Sequence, residues 1–327
     1  MRRRDVLGAL AGLVAAAPAS GIAQTAGKTF RLASITAGAP ISPASPNGKL
    51  LLPALEELGY KVGQNLDYEP YGAELHFDRL PQIAAEIAAK KFDAAVVAGY
   101  PPAAAMKGTA TPTVVVVGAG DPIATGLVES LAHPGGNVTG ISDNAVTLST
   151  KRLGLLKQAV PSIRKVAMLW NKNDLGMSLR YQASADAAKA LGVSVLPLGV
   201  SEPEDFAEAF AMMGRNGPDA ILMVSDVLTL LNRKRVIDYA AANRLPAIFE
   251  SDPYVRDGGL MSYGGDLKES YSRGASLLDR IFKGAPAADL PFEEPTRYLF
   301  VINLKTAKEI GLDLSPTVLA LADEVIE

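Results

Sequence analysis

The feature that most constrains this chain is a series of short apolar or β-branched runs without polar alternation. The clearest are residues 94–98 (AAVVA) and 113–117 (TVVVV). A strand with one wet face alternates apolar and polar residues. A strand without alternation must be covered on both faces, as in a parallel sheet sandwiched by helices. Helical stretches stand between such runs. Residues 30–35, 66–71, 93–98 and 113–117 read as strands, and 49–58, 80–89 and 101–106 as helices. Gly59 is placed to end the first helix, and prolines at 101 and 102 are tolerated in the first turn of the third. The same grammar then repeats. Strands are expected at 166–170, 193–198, 220–224 and 247–249, and helices at 178–191, 203–213 and 232–243. After these come a strand at 260–263, a helix at 267–282, a Pro-rich stretch at 286–295, a strand at 299–302 and helices at 304–310 and 316–326.

Two successive runs of βα units predict an α/β protein with two doubly wound, Rossmann-like lobes. A chain of 327 residues has the length for two such lobes. The expected division is 28–143 plus 262–290 for the first lobe and 144–261 plus 291–327 for the second. Crossovers near 143–146, 257–261 and 287–293 would form a three-strand hinge. Arg2, Arg3 and Arg4 precede the apolar run 6–17, and Gly21-Ile22-Ala23 offers small residues for cleavage, so residues 1–23 read as an export signal, Tat or Sec. The run is too short for a membrane span, which needs about 20 residues. Cysteine is absent, which removes thiolate chemistry and Cys-based metal sites. The net charge of −3, without Lys/Arg blocks, argues against nucleic acid as a partner.

In open α/β sheets, ligands sit beyond the carboxyl ends of the strands. That rule selects Ser34 and Thr36, Gly99 and Tyr100, Asp121, and Asp143 with Asn144 in the first lobe. In the second it selects Asn171, Ser225 with Asp226, and Glu250 with Ser251; Tyr263 joins from a crossover. The loops are rich in hydroxyls, amides and carboxylates, as polar ligand recognition requires. Structural roles compete for several of them. Asp121 before Pro122 also fits a turn, Asp226 an N-cap, Asp143 the hinge, and Trp170, ending a strand, the core. The only histidines, His76 and His133, stand away from strand carboxyl ends, and there is no Gly-x-Ser-x-Gly elbow or His-rich spacing. No catalytic residue, metal site or cofactor is expected.

Several stretches resemble the periplasmic ABC-transporter substrate-binding proteins whose relatives are linked to tryptophan and other aromatic amino acids. They include Glu56-Glu57-Leu58-Gly59-Tyr60, Asp78-Arg79-Leu80-Pro81, Gly120-Asp121-Pro122, and His133-Pro134-Gly135-Gly136-Asn137-Val138-Thr139-Gly140. Further on are Lys151-Arg152-Leu153, Gly259-Leu260-Met261-Ser262-Tyr263-Gly264 and Val301-Ile302-Asn303-Leu304-Lys305-Thr306-Ala307-Lys308. The resemblance spans nearly all of the chain after the signal. It implies a type I periplasmic-binding fold without catalysis, a membrane permease as partner and a small-molecule ligand, an amino acid first; a monomer is the default for a protein that docks on a permease. Another small carboxylate, a sugar, a nucleoside, or a sensing role remain alternatives. An amino acid's carboxylate would use backbone N–H groups after Gly99 and the hydroxyls of Ser34 or Thr36. Its ammonium would use Asp226, Asp143 or Glu250. Tyr100, Trp170, Phe249 or Tyr254 could wall an aromatic ring. Where relatives carry Gly-Thr-Pro, this chain has Gly99-Tyr100-Pro101, which bears on ligand choice.

Overall fold

A computed structural model describes residues 28–327; the expected export signal lies outside the described residues. The first sheet is wholly parallel. It consists of β1 (Phe30–Thr36), β2 (Leu66–Gly72), β3 (Ala94–Ala98), β4 (Thr113–Val117) and β5 (Val138–Gly140), in the order β2-β1-β3-β4-β5. Helices α1 (Gly48–Glu57), α2 (Leu80–Ala89) and α3 (Tyr100–Met106) connect its strands. The apolar runs divide as the pleat demands. Ala94, Val96, Val114 and Val116 join one core, whereas Ala95, Val97 and Val115 join the core on the other face. Each fully buried valine here contributes about 1.5–2 kcal/mol.

The chain then enters a second assembly through α4 (Ala145–Ala159), β6 (Lys165–Asn171), α5 (Leu175–Ala190), β7 (Ser194–Val200), α6 (Asp205–Asn216) and β8 (Ala220–Met223). It continues with α7 (Val227–Leu231), α8 (Arg233–Ala242), β9 (Ala247–Phe249), α9 (Asp252–Arg256) and β10 (Met261–Gly265). Next, α10 (Leu267–Phe282) returns to the first sheet and packs on α1 and β4. The approach is close, since a Cβ on Gly274 would reach into the Val116 side chain. The chain finally goes back through β11 (Tyr298–Asn303), α11 (Leu304–Glu309), α12 (Pro316–Leu319) and β12 (Glu324–Ile326). The second sheet runs β12-β11-β10-β9-β8-β6-β7, parallel except between β10 and β11. Its strands also split between two cores, with Val166, Met168 and Leu222 on one face and Ala167, Leu169 and Ile221 on the other.

Two expectations are corrected. The middle crossing falls later than 257–261, because β10 pairs with β9 and β11 and the chain leaves only at Asp266. The terminal helix expected at 316–326 stops after one turn. Asp323 N donates to Phe300 O, and Phe300 N donates to the Asp323 carboxylate, which turns the β-branched end into an edge strand beside β11. The crossovers are tied to one another. Ile141 bridges Glu293, and Asp266 N donates to Arg297 O. Glu269, in the first turn of α10, accepts from Thr296 N, Thr296 Oγ1 and Arg297 N.

Candidate functional site

The carboxyl ends of both sheets face one cleft, with a cavity of about 250 Å³. Thr36, Gly99, Asp143, Ser225, Asp226, Glu250 and Ser251 line it, as the strand-end rule selects. Its apolar wall is formed by Val116, Val117, Ile141, Leu148, Leu230 and Leu267, with Tyr254 and Tyr271. Ligand pockets of this kind start at roughly 300 Å³, so the chamber suits one small solute.

A buried ionic network forms the floor. Glu250 follows β9 and is 7% exposed. Its Oε1 accepts from Arg152 Nη1 of α4 at 2.7 Å. Its Oε2 accepts from Arg180 Nη1 of α5 at 2.5 Å and from Ser225 N at 3.0 Å. Arg152 Nε donates to Tyr263 O at 2.6 Å. Arg180 Nη2 lies against Asp143 Oδ2, which also accepts from Gly120 N at 3.4 Å. Both arginines are 4% exposed. Burial pulls the Arg152 guanidinium's pKa down, with Glu250 opposing. Gly264 makes room for the network, since a Cβ there would collide with the Glu250 carbonyl oxygen.

A second, smaller cavity of about 40 Å³ continues between the lobes, lined by Asp174 and Asp226 on one side and by Phe77, Gly99 and Pro101 on the other. The two aspartates follow the neighbouring strands β6 and β8 and cap α5 and α7. Asp174 is 2% exposed, and burial, followed by the charge of Asp226, pushes its carboxyl up to about 7. Burial also raises Asp226, although Asn171 Nδ2, Thr229 N and Thr229 Oγ1 all donate to it.

The remaining expected residues stand outside the cleft wall. Ser34 is buried beneath it and accepts from Tyr68 OH. Tyr100 faces the neighbouring loop, its hydroxyl 3.5 Å from Thr125 O, because α3 turns it away from the chamber. Asp121 shapes its turn by accepting from Ile123 N and Ala124 N. Asn144 holds a left-handed backbone and approaches Tyr298 OH. Asn171 acts on Asp226, and Tyr263 offers only its carbonyl to Arg152. Of the expected ring walls, only Tyr254 reaches the chamber. Trp170 stacks on Tyr181 at 3.7 Å and Phe249 beneath Tyr254 at 5.0 Å. Sequence reasoning missed Arg152 and Arg180 as cleft residues. Arg152 stood in a family-like motif but carried no sign of facing inward, and Arg180 sits on a helix whose pattern does not separate buried from wet arginines.

The lobes touch through bare backbone. A Cβ on Gly120 would lie 3.0 Å from Gly176 Cα, and one on Gly176 3.3 Å from Tyr100 Cβ. A Cβ on Gly38 would strike the Val227 side chain.

The sequence profile of a family described as ABC transporter substrate binding protein matches residues 48–326. A tyrosine-binding protein of Clostridioides difficile is 26% identical over 266 residues, covering 81% of this chain and 76% of that protein. An ABC domain from Streptococcus pneumonia in complex with L-Trp superposes with a TM-score of 0.81 at 23% identity, over 91% of this chain and all of that one. A ligand-free, open substrate binding protein from Clostridium difficile gives 0.64 at 22% identity, over 91% of this chain and 99% of that one.

Proposed function

Because the chain belongs to the ABC transporter substrate binding protein family, whose members bind a solute and are not enzymes, we propose that it captures an amino acid with an apolar or aromatic side chain for an importer. The observation that carries this reading is the composition of the chamber. Both lobes supply its walls, most of the wall is apolar, and the polar groups converge on one floor where two arginines meet two carboxylates. An aliphatic or aromatic body would desolvate against Val117, Leu148, Leu230 and Tyr271. Fully burying such a side chain is worth about 1.5–3 kcal/mol. A sugar would want hydrogen bonds around its whole rim, which this apolar wall does not provide. The relatives that bind tyrosine and L-Trp support the amino-acid class.

The better superposition on the L-Trp complex than on the open, ligand-free relative supports reading the present arrangement as the closed one. Opening would then turn about the three tied crossovers, exposing Asp174 and the chamber. Family members work outside the cytoplasm with a membrane permease. For this chain the arginines at 2–4 and the apolar run after them support export to the periplasm, where it would act as a monomer docking on its permease.

The test is isothermal titration calorimetry of the ligand-stripped protein against the common L-amino acids, small carboxylates, sugars and nucleosides. Binding of one or more apolar or aromatic L-amino acids, with negative heat-capacity change, is the expected result. Binding confined to sugars, nucleosides or simple carboxylates would overturn the reading.

A further inference from the structure

Resting on the reading that the present arrangement is the closed, solute-holding one, we propose that Asp174, paired with Asp226, takes up a proton as the lobes close, so that capture tightens as pH falls.

Two carboxylates share one small space. Asp174 caps α5 and Asp226 caps α7, and both stand at the ends of neighbouring strands, on one wall of the cavity of about 40 Å³ between the lobes. Asp174 Oδ1 accepts from Met177 N at 3.2 Å. Asp226 accepts from Asn171 Nδ2, Thr229 N and Thr229 Oγ1. All of these donors are neutral. The opposite wall belongs to the first lobe and comes from Ala37, Phe77, Ala98, Gly99, Pro101 and Gly118, none of which has a side-chain oxygen or a charge. A metal cation held between the carboxylates would lack oxygen ligands on that side, whereas a proton needs only the carboxyl it sits on.

Closure brings that opposite wall into place. Val227, next to Asp226, packs against a core of the first lobe, and Leu75 of the first lobe packs against a core of the second. Gly120 approaches Gly176, two residues beyond Asp174, so closely that a Cβ on Gly120 would lie 3.0 Å from Gly176 Cα. Under this cover Asp174 is 2% exposed, while Asp226, which also lines the chamber, stays partly exposed. No free positive charge faces the pair. From the first lobe comes the Tyr100 phenol, pushed up by burial and then by the charge of Asp174. On the chamber side of Asp226 stand Tyr254 and Glu250, and the chamber's Arg152 and Arg180 are engaged by Glu250 and Asp143. Asp121, beyond the Gly118 turn, is held by Ile123 N and Ala124 N. Lys172, beside Asn171, and His76 and Asp78, beside Phe77, are exposed.

Two like charges in a space without counter-charge disfavour ionisation twice over, by lost hydration and by repulsion. In the closed form, burial followed by the charge of Asp226 holds the Asp174 carboxyl at about 7. With the lobes apart and water admitted, it returns toward the ordinary aspartate value of about 3.9. The closed form therefore binds this proton more tightly than the open one. Its advantage is complete below about pH 4 and is lost as pH rises through about 7. Between about pH 5 and pH 8 the ratio of closed to open protein, and with it the affinity for solute, falls roughly fifty- to a hundredfold.

Two measurements on the whole protein test this. The first needs no ligand. Small-angle scattering of the ligand-stripped protein between about pH 5 and pH 8 should show the radius of gyration rising with pH in the wild type and staying level in Asp174→Asn, which keeps an oxygen for Met177 N and never ionises. Equal profiles for the two proteins would overturn the proposal. The second is calorimetry with L-tryptophan, L-tyrosine, L-phenylalanine and L-leucine, whose own charges do not change over this range, in two buffers of different ionisation heat. Binding should take up close to one proton per solute at about pH 6 and almost none at about pH 8, with the dissociation constant weakening roughly fifty- to a hundredfold from about pH 5 to pH 8. Asp174→Asn should lose most of both the uptake and the pH dependence. A solute that binds the wild type at about pH 6 without proton uptake would overturn the proposal with no variant needed and leave the amino-acid reading intact. If none of the four binds, the amino-acid reading fails, and the scattering profiles still decide the proposal.

Discussion

Replacing Asp174 by asparagine should stabilise this protein at alkaline pH and change little at acidic pH. Asp174 is 2% exposed and stands beside Asp226 on one wall of the small inter-lobe cavity, so its carboxyl is held at about 7. In the unfolded chain an aspartate sits near 3.9. The folded state therefore binds this proton more tightly than the unfolded state. The stability it contributes is complete below about pH 4 and is lost progressively as pH rises through about 7. Three units correspond to about 4 kcal/mol in all, and the part lost between about pH 5 and pH 8 is about 3 kcal/mol. An asparagine at this position keeps an oxygen for the Met177 N–H that Asp174 caps, and it never ionises. Thermal unfolding followed by circular dichroism between about pH 5 and pH 8 should show the wild-type midpoint falling further than the variant's, by roughly 5–10 °C at 2–4 °C per kcal/mol. Every other titrating group is common to the two proteins, so their difference reports Asp174 together with its coupling to Asp226. Parallel profiles would refute the reasoning and mean that the carboxylate stays ionised despite its burial.

Other consequences can be checked more quickly. Glu250→Ala should cost about 3–5 kcal/mol of stability in a denaturant titration, because it leaves Arg152 and Arg180 buried against too little negative charge. Gly176→Val should weaken the bound ligand about tenfold, since its side chain crowds Tyr100 where the lobes meet, and should lower thermal stability as well, since the same Cβ lies 3.2 Å from the capping Asp174 Oδ1. Trp170→Phe should leave ligand affinity as it is, because the indole stacks on Tyr181 away from the chamber; a large loss would place the ring in the site.

Much of the architecture could be read from the residues because the parallel strands had no wet face. Val96 and Val97 point into different cores, and so do Val114 and Val115, which is why no alternation appears in either run. The strand-end rule also found Thr36, Gly99, Asp143, Ser225, Asp226 and Glu250, since position along a strand is visible in a sequence. It misplaced Asn171 and Ser34 because it specifies a strand's end without specifying the face to which each side chain points. The arginines were hidden for another reason. Arg152 and Arg180 come from helices, where a guanidinium reads as a solvated group, and only the folded position of Glu250 draws both inward. The C-terminal strand escaped because its pairing with β11 is a long-range event, fixed by Asp323 against Phe300.

The return of α10 to the first sheet has a consequence for how the chain is made. This helix covers the face of β4 and lies along α1, yet it is synthesised after all of residues 145–265. Until it emerges, Val114, Val116 and the side of α1 that it covers are open, and α1 alone shields that face of the first sheet. The polypeptide therefore stays short of its finished form until nearly the whole of it has been translated, which leaves an interval in which it can be handed on unfolded. A chain ending just before Leu267 would be prone to aggregate, and one carried through β11 to the C-terminus would not.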